Sequence, residues 1–294
     1  MKVEGLGEFG LLEKIKPYLA QAKAIEVPAG ADDAAVIAES GGFTVASSDM
    51  FVEGIHFDLG WMSAQDAGWR SLALALGDLA AKGATPTWAL TSIAIPNTWM
   101  VENFIGLYDG MAAIAQTTKT LIAGGDMSLI DGPAVLSITV VGRTDRRPLA
   151  RSEAKPGWAV AVSGPLGAAA LALRERRPLR LLPRLDEGRR LNAAGLCCGD
   201  ISDGLVREMQ KFAAFSGAGC ILQAADVPIA KGATLEEALT SGEEVELVCV
   251  GPEDLIRSAG LRTLGVLTKG PAVVVMGADR KPVKLQLSGY DHFA

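Results

Sequence analysis

Three observations in this chain predict an α+β protein made of two mixed α/β domains. It has 294 residues and a mass of 30.6 kDa, more than a single hydrophobic core usually serves. Hydrophobic residues make up 49% and charged residues 21%, enough apolar surface to offset chain entropy, which excludes a disordered chain. Strand-like and helix-like stretches mix in each half, with no long internal repeat and no low-complexity tract.

The first half begins its regular structure at Phe43-Thr-Val-Ala-Ser47, a strand after the Gly41-Gly42 turn. Ser63-Ala-Gln-Asp66 has the form of a capping box, an apolar run follows from Leu72, and Lys82-Gly83 supplies a basic last turn and a terminal glycine. A long helix is expected between them. Trp88 to Ile95 reads as a strand stopped by Pro96 and Asn97. A second helix should cover Met100 to Thr118, followed by a short strand at Leu121 to Ala123 and a longer one at Ala134 to Val141. Charges and a proline in Gly142-Arg-Thr-Asp-Arg-Arg-Pro148 interrupt two apolar regions, so the domains are expected at 1–145 and 146–294.

The second half offers a strand at Trp158 to Val162, then a Ser163-Gly-Pro-Leu-Gly167 turn into a small-residue helix. A basic stretch runs from Arg174 to Arg190. Strands are expected near Cys220 to Gln223, Val245 to Val250 and Val273 to Met276, with helices near Gly204 to Phe215 and Ala233 to Leu239.

A formal charge of −6 and a pI of about 5.1 argue against a nucleic-acid partner. The segment from Met1 to Leu19 carries acids and glycines where a secretory signal would have an unbroken apolar core, so no export is expected. The most apolar stretches, Trp158 to Leu173 and Pro271 to Ala278, are interrupted or too short to span a bilayer, so no membrane is expected either. Cys197, Cys198, Cys220 and Cys249 lack paired zinc spacing and read as reduced, buried thiols of a cytoplasmic protein.

The informative residues are carboxylates set among Ala, Gly, Leu and Ser. Asp78 interrupts Leu72-Ala-Leu-Ala-Leu-Gly-Asp-Leu-Ala-Ala81, a helix with hardly any polar face. Burying an unpaired carboxylate costs several kcal/mol, so Asp78 should be hydrogen-bonded, paired with Lys82 or bound to a metal. The same oddity recurs at Asp32-Asp33, Ser47-Ser48-Asp49, Gly124-Gly125-Asp126 and Asp200-Ile-Ser-Asp203-Gly204, each read as an element end. Individually these are ordinary turns or caps. If they converge, their repulsion requires cations, and an all-oxygen ligand set with adjoining glycines suits Mg²⁺ and phosphate.

Other chemistries fit poorly. Gly5-Leu-Gly-Glu-Phe-Gly10 matches a dinucleotide fingerprint without a preceding strand, and no G-x-x-x-x-G-K-[ST] occurs. The two histidines, His56 and His292, come with no nucleophile-elbow sequence.

The ordered set of motifs resembles the thiamine-monophosphate kinase family of the aminoimidazole ribonucleotide synthetase superfamily. The likeness runs through Gly7-Glu-Phe9, Gly30-Ala-Asp-Asp-Ala-Ala-Val36, Ser47-Ser-Asp-Met-Phe-Val-Glu-Gly-Ile-His-Phe57 and Gly77-Asp-Leu-Ala-Ala-Lys-Gly-Ala84. It continues through Gly124-Gly-Asp126, Asp200-Ile-Ser-Asp-Gly-Leu205, Gly242-Glu-Glu-Val-Glu-Leu247 and Gly289-Tyr-Asp-His-Phe-Ala294. The aspartate motifs mark the superfamily, whereas Val52-Glu-Gly-Ile-His-Phe57 and the terminal motif resemble this kinase in particular.

The resemblance implies the synthetase-like fold with an ATP site in the inter-domain cleft of a homodimer. It also implies ATP-dependent, Mg²⁺-requiring, in-line phosphorylation of thiamine monophosphate to thiamine diphosphate. The acceptor is an ionised phosphate oxygen, so no dedicated catalytic base is expected. By position, Asp32, Ser48, Asp49, Asp78, Asp126, Asp200 and Asp203 match the family's metal-binding oxygens. Tyr108, Gly125, Asp126, Arg151 and Ser202 match ATP contacts, with Arg151 as a fixed cation for phosphate. His56, Glu243 and Tyr290 match substrate-side positions. A tyrosine face could stack on the thiazolium and a histidine could donate to its phosphate. The chain departs from the family at Ala31, Ser48, Met127, Ala75 and Gly77 beside Asp78, and Val245, where an aromatic is usual; the Arg174 to Arg190 segment is short.

Overall fold

The computed structural model describes residues 7–19, 22–27, 32–285 and 289–290. Gly5, Gly30, Ala31 and His292, named above, lie outside them. Two six-stranded sheets organise the chain. The first contains β1 (Ile25–Val27), β2 (Ala35–Glu39), β3 (Gly42–Val52), β4 (Thr85–Pro96), β5 (Leu121–Ile130) and β6 (Val135–Thr144), in the order β1-β2-β3-β6-β4-β5. Only the β4–β5 pair is parallel. The second contains β7 (Ala159–Val162), β8 (Cys197–Asp200), β9 (Ala218–Gln223), β10 (Leu247–Gly251), β11 (Thr263–Leu267) and β12 (Gly270–Met276), in the order β12-β9-β11-β7-β10-β8.

Eight α-helices accompany the sheets among the described residues: α1 (Gly7–Ile15), α2 (Ala64–Ala81), α3 (Val101–Thr118), α4 (Ala168–Arg174), α5 (Leu185–Ala193), α6 (Leu205–Ser216), α7 (Leu235–Thr240) and α8 (Glu253–Ser258). None is long and apolar enough to cross a membrane. The key element is α2. Ser63 Oγ caps it by accepting from the Asp66 N–H at 3.0 Å, and almost every side chain from Ser71 to Lys82 is buried. It is apolar nearly all round because both of its sides are covered. Val45, Leu136, Ile138 and Val140 of the first sheet share one core with Leu72, Leu76 and Leu79, and that core continues into Leu191 of α5 and into Cys198, Leu247 and Cys249 of the second sheet. A separate core beneath the other face of the second sheet gathers Leu205, Met209 and Phe212 of α6 with Cys220, Leu222, Val248 and Val250.

Several expectations change. The strand expected to stop at Ala123 continues to Ile130, because backbone pairing with β4 carries Gly124, Gly125 and Asp126 through an exposed edge strand. Asp49 likewise lies inside β3, which pairs with β6 over ten residues. Neither carboxylate is therefore at an element end. The basic stretch folds partly into α5, and β8, β11 and α8 were hidden by their shortness. Val245 precedes β10, which begins at Leu247.

Candidate active site

A cleft of about 900 Å³ is bordered by elements of both sheets. Arg70, Leu74 and Asp78 line it from α2, a spacing of four residues that puts all three on one helix face. Asp33, just before β2, and Asp200, the last residue of β8, complete an acidic group with Asp78. One carboxylate oxygen from each lies within 4.8 Å of the others. Asp49 enters the same cleft from β3.

The electrostatics follow from this crowding. Burial, reinforced by Asp49, Asp200 and Asp33, pushes Asp78 well above the usual carboxylate range. Burial also pushes Asp200 well up, with Asp33 and Glu208 adding to it. Asp49 is pushed up to about 6 by burial and by Asp33 and Asp203. Asp33 goes the other way: burial opposes its charge, but Arg151, Lys82 and Lys211 outweigh it. Hard oxygen donors that cannot all ionise together are a donor set suited to Mg²⁺.

At two positions a neighbour of the expected residue makes the contact with the acidic group. Asp32, expected as a metal ligand, has a fully buried carboxylate that accepts from Lys82 Nζ, from Arg151 Nη1 at 2.9 Å and from the Arg151 N–H at 2.9 Å. Asp32 still lines the cleft, but it is Asp33 whose carboxylate groups with Asp78 and Asp200. Along β3, Ser47 donates to Asp78 Oδ2, whereas Ser48, which also lines the cleft, lies 3.0 Å from Thr139 Oγ1 on β6. Strand alternation decides which hydroxyl faces the carboxylates.

Arg151 borders the cleft but does not offer its guanidinium to it. Nε donates to Glu208 at 2.7 Å, Nη1 to Asp32, and Nη2 to Asp33 and Glu208, with 2% of the residue exposed and Phe212 beneath the plane at 5.6 Å. It fixes carboxylates here, where the sequence suggested a phosphate contact. Lys211, which the sequence reading passed over, donates to Asp203 Oδ2 at 2.8 Å and lies within 3.4 Å of Ser202 Oγ and of Glu208 Oε2. Ser202 and Asp203 both line the cleft.

The expected substrate-side residues do meet here. The Val52 N–H donates to His56 Nδ1 at 3.0 Å, so a neutral ring carries its proton on Nε2; Phe51 packs edge-on at 5.8 Å. Tyr290 lines the cleft and is 47% exposed, its N–H donating to the Asp203 carbonyl at 3.0 Å. Gly289 permits that docking, since it has φ +122 and a Cβ there would lie 2.5 Å from both Arg207 Cβ and the Asp203 carbonyl oxygen.

The three glutamates after Gly242 divide their work. Glu244 accepts from the backbone N–H groups of Gly167, Ala168 and Ala169 at 3.0 to 3.2 Å, holding the start of α4. Glu246 pairs with Arg184 and accepts from Ser163. Only Glu243 lines the cleft, where it pairs with Arg70. Left-handed φ values of 59 at Glu243 and 53 at Val245 accompany this arrangement, a costly conformation for a β-branched residue.

Tyr108, Gly125 and Asp126 are not in this cleft. They line a second pocket of about 400 Å³ between α3 and β5, where Tyr108 OH lies 3.1 Å from Thr91 Oγ1. Gly125 is needed for close approach, since a Cβ would lie 1.8 Å from the Thr91 carbonyl oxygen. Two strands, β6 and β4, separate β5 from β3 in the sheet.

Sequence reasoning missed Arg70 and Lys211, and it named Asp33 and Ser47 only within their motifs, without a role of their own. Signals existed for Ser47 and Arg70: alternation from buried Val45 selects Ser47, and a cation eight residues before Asp78 falls on its helix face.

Residues 31–144 match the family described as AIR synthase related protein, N-terminal domain. The chain is 35% identical over 244 residues to the thiamine-monophosphate kinase of Rhodopirellula baltica, covering 76% of each chain. It is 28% identical over 324 residues to that of Bacillus subtilis, covering 98% of this chain and all of the relative. Among solved structures, the AaThiL complex with AMPPCP and TMP is similar with a TM-score of 0.85 and 27% identity, covering 99% of both chains.

Proposed function

The chain belongs to the thiamine-monophosphate kinase family, and on that premise we propose that it transfers the γ-phosphoryl group of ATP to thiamine monophosphate, forming thiamine diphosphate and ADP. The observation that carries this reading is the meeting of Asp33, Asp78 and Asp200 from three separate elements in one cleft. Those three carboxylates would hold Mg²⁺, with Asp49 beside them. When bound, the ion supplies charge neutralisation at the transferring group. The chain's own contribution is positioning. Lys82 and Arg151 fix Asp32 and Asp33, Ser47 orients Asp78, and α2 carries Asp78 on a buried, rigid element. An acceptor phosphate oxygen is already ionised, so the reaction needs no dedicated base.

We also propose a homodimer in which the outer face of the first sheet is the contact. Met50, Trp88, Leu90 and Leu121 are exposed there, at 60%, 38%, 38% and 69%. The pocket holding Tyr108, Gly125 and Asp126 then serves the cleft of the second copy, which accounts for its separation from the cleft of its own chain. Four free, buried cysteines are consistent with a cytoplasmic setting.

The decisive test incubates the protein with ATP, thiamine monophosphate and Mg²⁺. Equimolar ADP and thiamine diphosphate are expected. Nucleotide binding without product would instead indicate a binding protein.

A further inference from the structure

One cation in the cleft has no part in the acidic network. Arg70 lies on the cleft face of α2, and its guanidinium pairs with Glu243 alone among the described carboxylates. The pair is unfinished. Arg70 Nε and Glu243 Oε1 are buried and have no hydrogen-bond partner among the described residues. A buried donor and a buried acceptor left unsatisfied side by side each cost free energy, unless a ligand completes them. Burial lowers the guanidinium to about 10 against the pull of Glu244, so it remains charged at neutral pH.

We propose that Arg70 is the ligand for the acceptor's phosphate, and that Glu243 is the counter-charge for the acceptor's cationic ring. This rests on the kinase reading above and deepens it. Thiamine monophosphate carries a phosphate and a thiazolium within one molecule, so it is a zwitterion, and the Arg70–Glu243 pair is its electrostatic complement. Inserting the acceptor between them exchanges one ion pair for two and leaves the second charge of the phosphate monoester to the metal site. The Arg70 fork suits the two oxygens of a phosphate in a way that a point charge does not.

The spacing agrees. Arg70 and Asp78 are eight residues apart on α2, about 12 Å along the axis. An arginine side chain reaching from one end and a metal-held phosphoryl group reaching from the other close that gap. Leu74, one turn from each, gives the cleft an apolar wall between them. The other described lysine and arginine of the site are already engaged: Arg151 by three carboxylates and Lys211 by Asp203 and Glu208.

The test compares the parent with Arg70→Met, Arg70→Lys and Glu243→Gln, using ATP and Mg²⁺ with varied thiamine monophosphate. Unphosphorylated thiamine and inorganic phosphate serve as competitive inhibitors against it. If the parent forms no thiamine diphosphate, the kinase reading fails before the variants are considered. Otherwise Arg70→Met should raise the acceptor KM about tenfold or more and leave the ATP KM within about twofold, with Arg70→Lys intermediate. Inhibition by thiamine should be unchanged in Arg70→Met and weakened in Glu243→Gln. An acceptor KM unchanged in folded Arg70→Met overturns the assignment, as does an equal loss of thiamine inhibition, which would mean that Arg70 only shapes the pocket. Should Arg70→Met fail to fold, Glu243→Gln decides: inhibition by phosphate should hold or strengthen once Arg70 loses its competitor, and weakened phosphate inhibition refutes the proposal.

Discussion

Lys82 Nζ donates to Asp32 Oδ1, fifty residues away, rather than to Asp78, four residues before it on the same helix. It also donates to the Cys198 carbonyl at 2.9 Å, tying α2 to β8. The consequence is a division of charge. Asp32 is neutralised by the protein, while among the described residues Asp78 and Asp200 have no cation in direct contact, which suits them to hold one from solution.

That division predicts opposite outcomes for two substitutions. Lys82→Met leaves the buried Asp32 with only Arg151 as a cationic partner, and breaking a buried pair commonly costs about 3 to 5 kcal/mol. Its thermal midpoint should fall sharply. Asp78→Asn removes one of three mutually repelling carboxylates, so without metal the protein should remain folded and be no less stable than the parent. Its turnover should nevertheless drop by several kcal/mol in transition-state stabilisation, of the order seen when phosphoryl charge neutralisation is lost. Calorimetry and steady-state assays on both variants check this; an unfolded Asp78→Asn, or one with parental Mg²⁺-dependent turnover, contradicts the assignment.

Stability without metal should depend on pH in a definite direction. Asp49 has its carboxyl raised from 3.8 to about 6, and Asp78 and Asp200 are raised as well. Between those values the folded state holds protons that the unfolded state has released, so stability falls as pH rises from about 4 through 6. Asp33, lowered by its cations, acts below 3.8 and with the opposite sign. Chelated protein should therefore lose stability across the window from 4 to 6, and added Mg²⁺ should restore it most at the upper end. Melting curves at stepped pH with and without Mg²⁺ measure both effects, and a chelated protein that gains stability over that range would contradict the coupling.

ATP should bind weakly without Mg²⁺. Several carboxylates facing a polyphosphate repel it unless cations intervene. Titration calorimetry with and without a chelator should show the difference, and tight metal-independent binding would mean that the nucleotide phosphates lie elsewhere.

The homodimer reading makes a prediction about mixed subunits. Asp78→Asn and Asp126→Asn homodimers should each be impaired. Mixing them with subunit exchange should restore activity, because a heterodimer then contains one site with both aspartates intact. No recovery in exchanged mixtures would place both aspartates in a single-chain site or leave Asp126 out of the reaction.

The class of fold was legible because long periodic segments such as Ala64–Ala81 and Val101–Thr118 declare themselves, and motif order then located most of the cleft. What escaped was parity. Adjacent Asp32 and Asp33, or Ser47 and Ser48, are chemically equivalent in sequence, and only the facing of the chain separates them. The placement of Gly125 and Asp126 escaped for another reason: backbone pairing to β4 overrides the turn tendency of glycine and carries the strand on. Arg70 went unseen because a lone cation near a helix start is ordinarily a solvated residue.

The last prediction concerns which acceptor is used. Tyr290, half exposed at the cleft and held by its backbone bond to Asp203, presents a ring that a cationic thiazolium can stack on. Tyr290→Ala should weaken acceptor binding by roughly 0.5 to 2 kcal/mol if a cation–π contact is the main interaction, with ATP affinity nearly unchanged. Unphosphorylated thiamine should be a poor acceptor in the parent, since its hydroxyl needs a base and His56, the one described histidine, accepts from Val52 through the nitrogen that would otherwise be basic. Steady-state constants for thiamine and thiamine monophosphate in parent and variant separate the two effects. Efficient phosphorylation of thiamine, or an unchanged acceptor constant in Tyr290→Ala, would show that the ring is not read at Tyr290 even where the aspartate site stands.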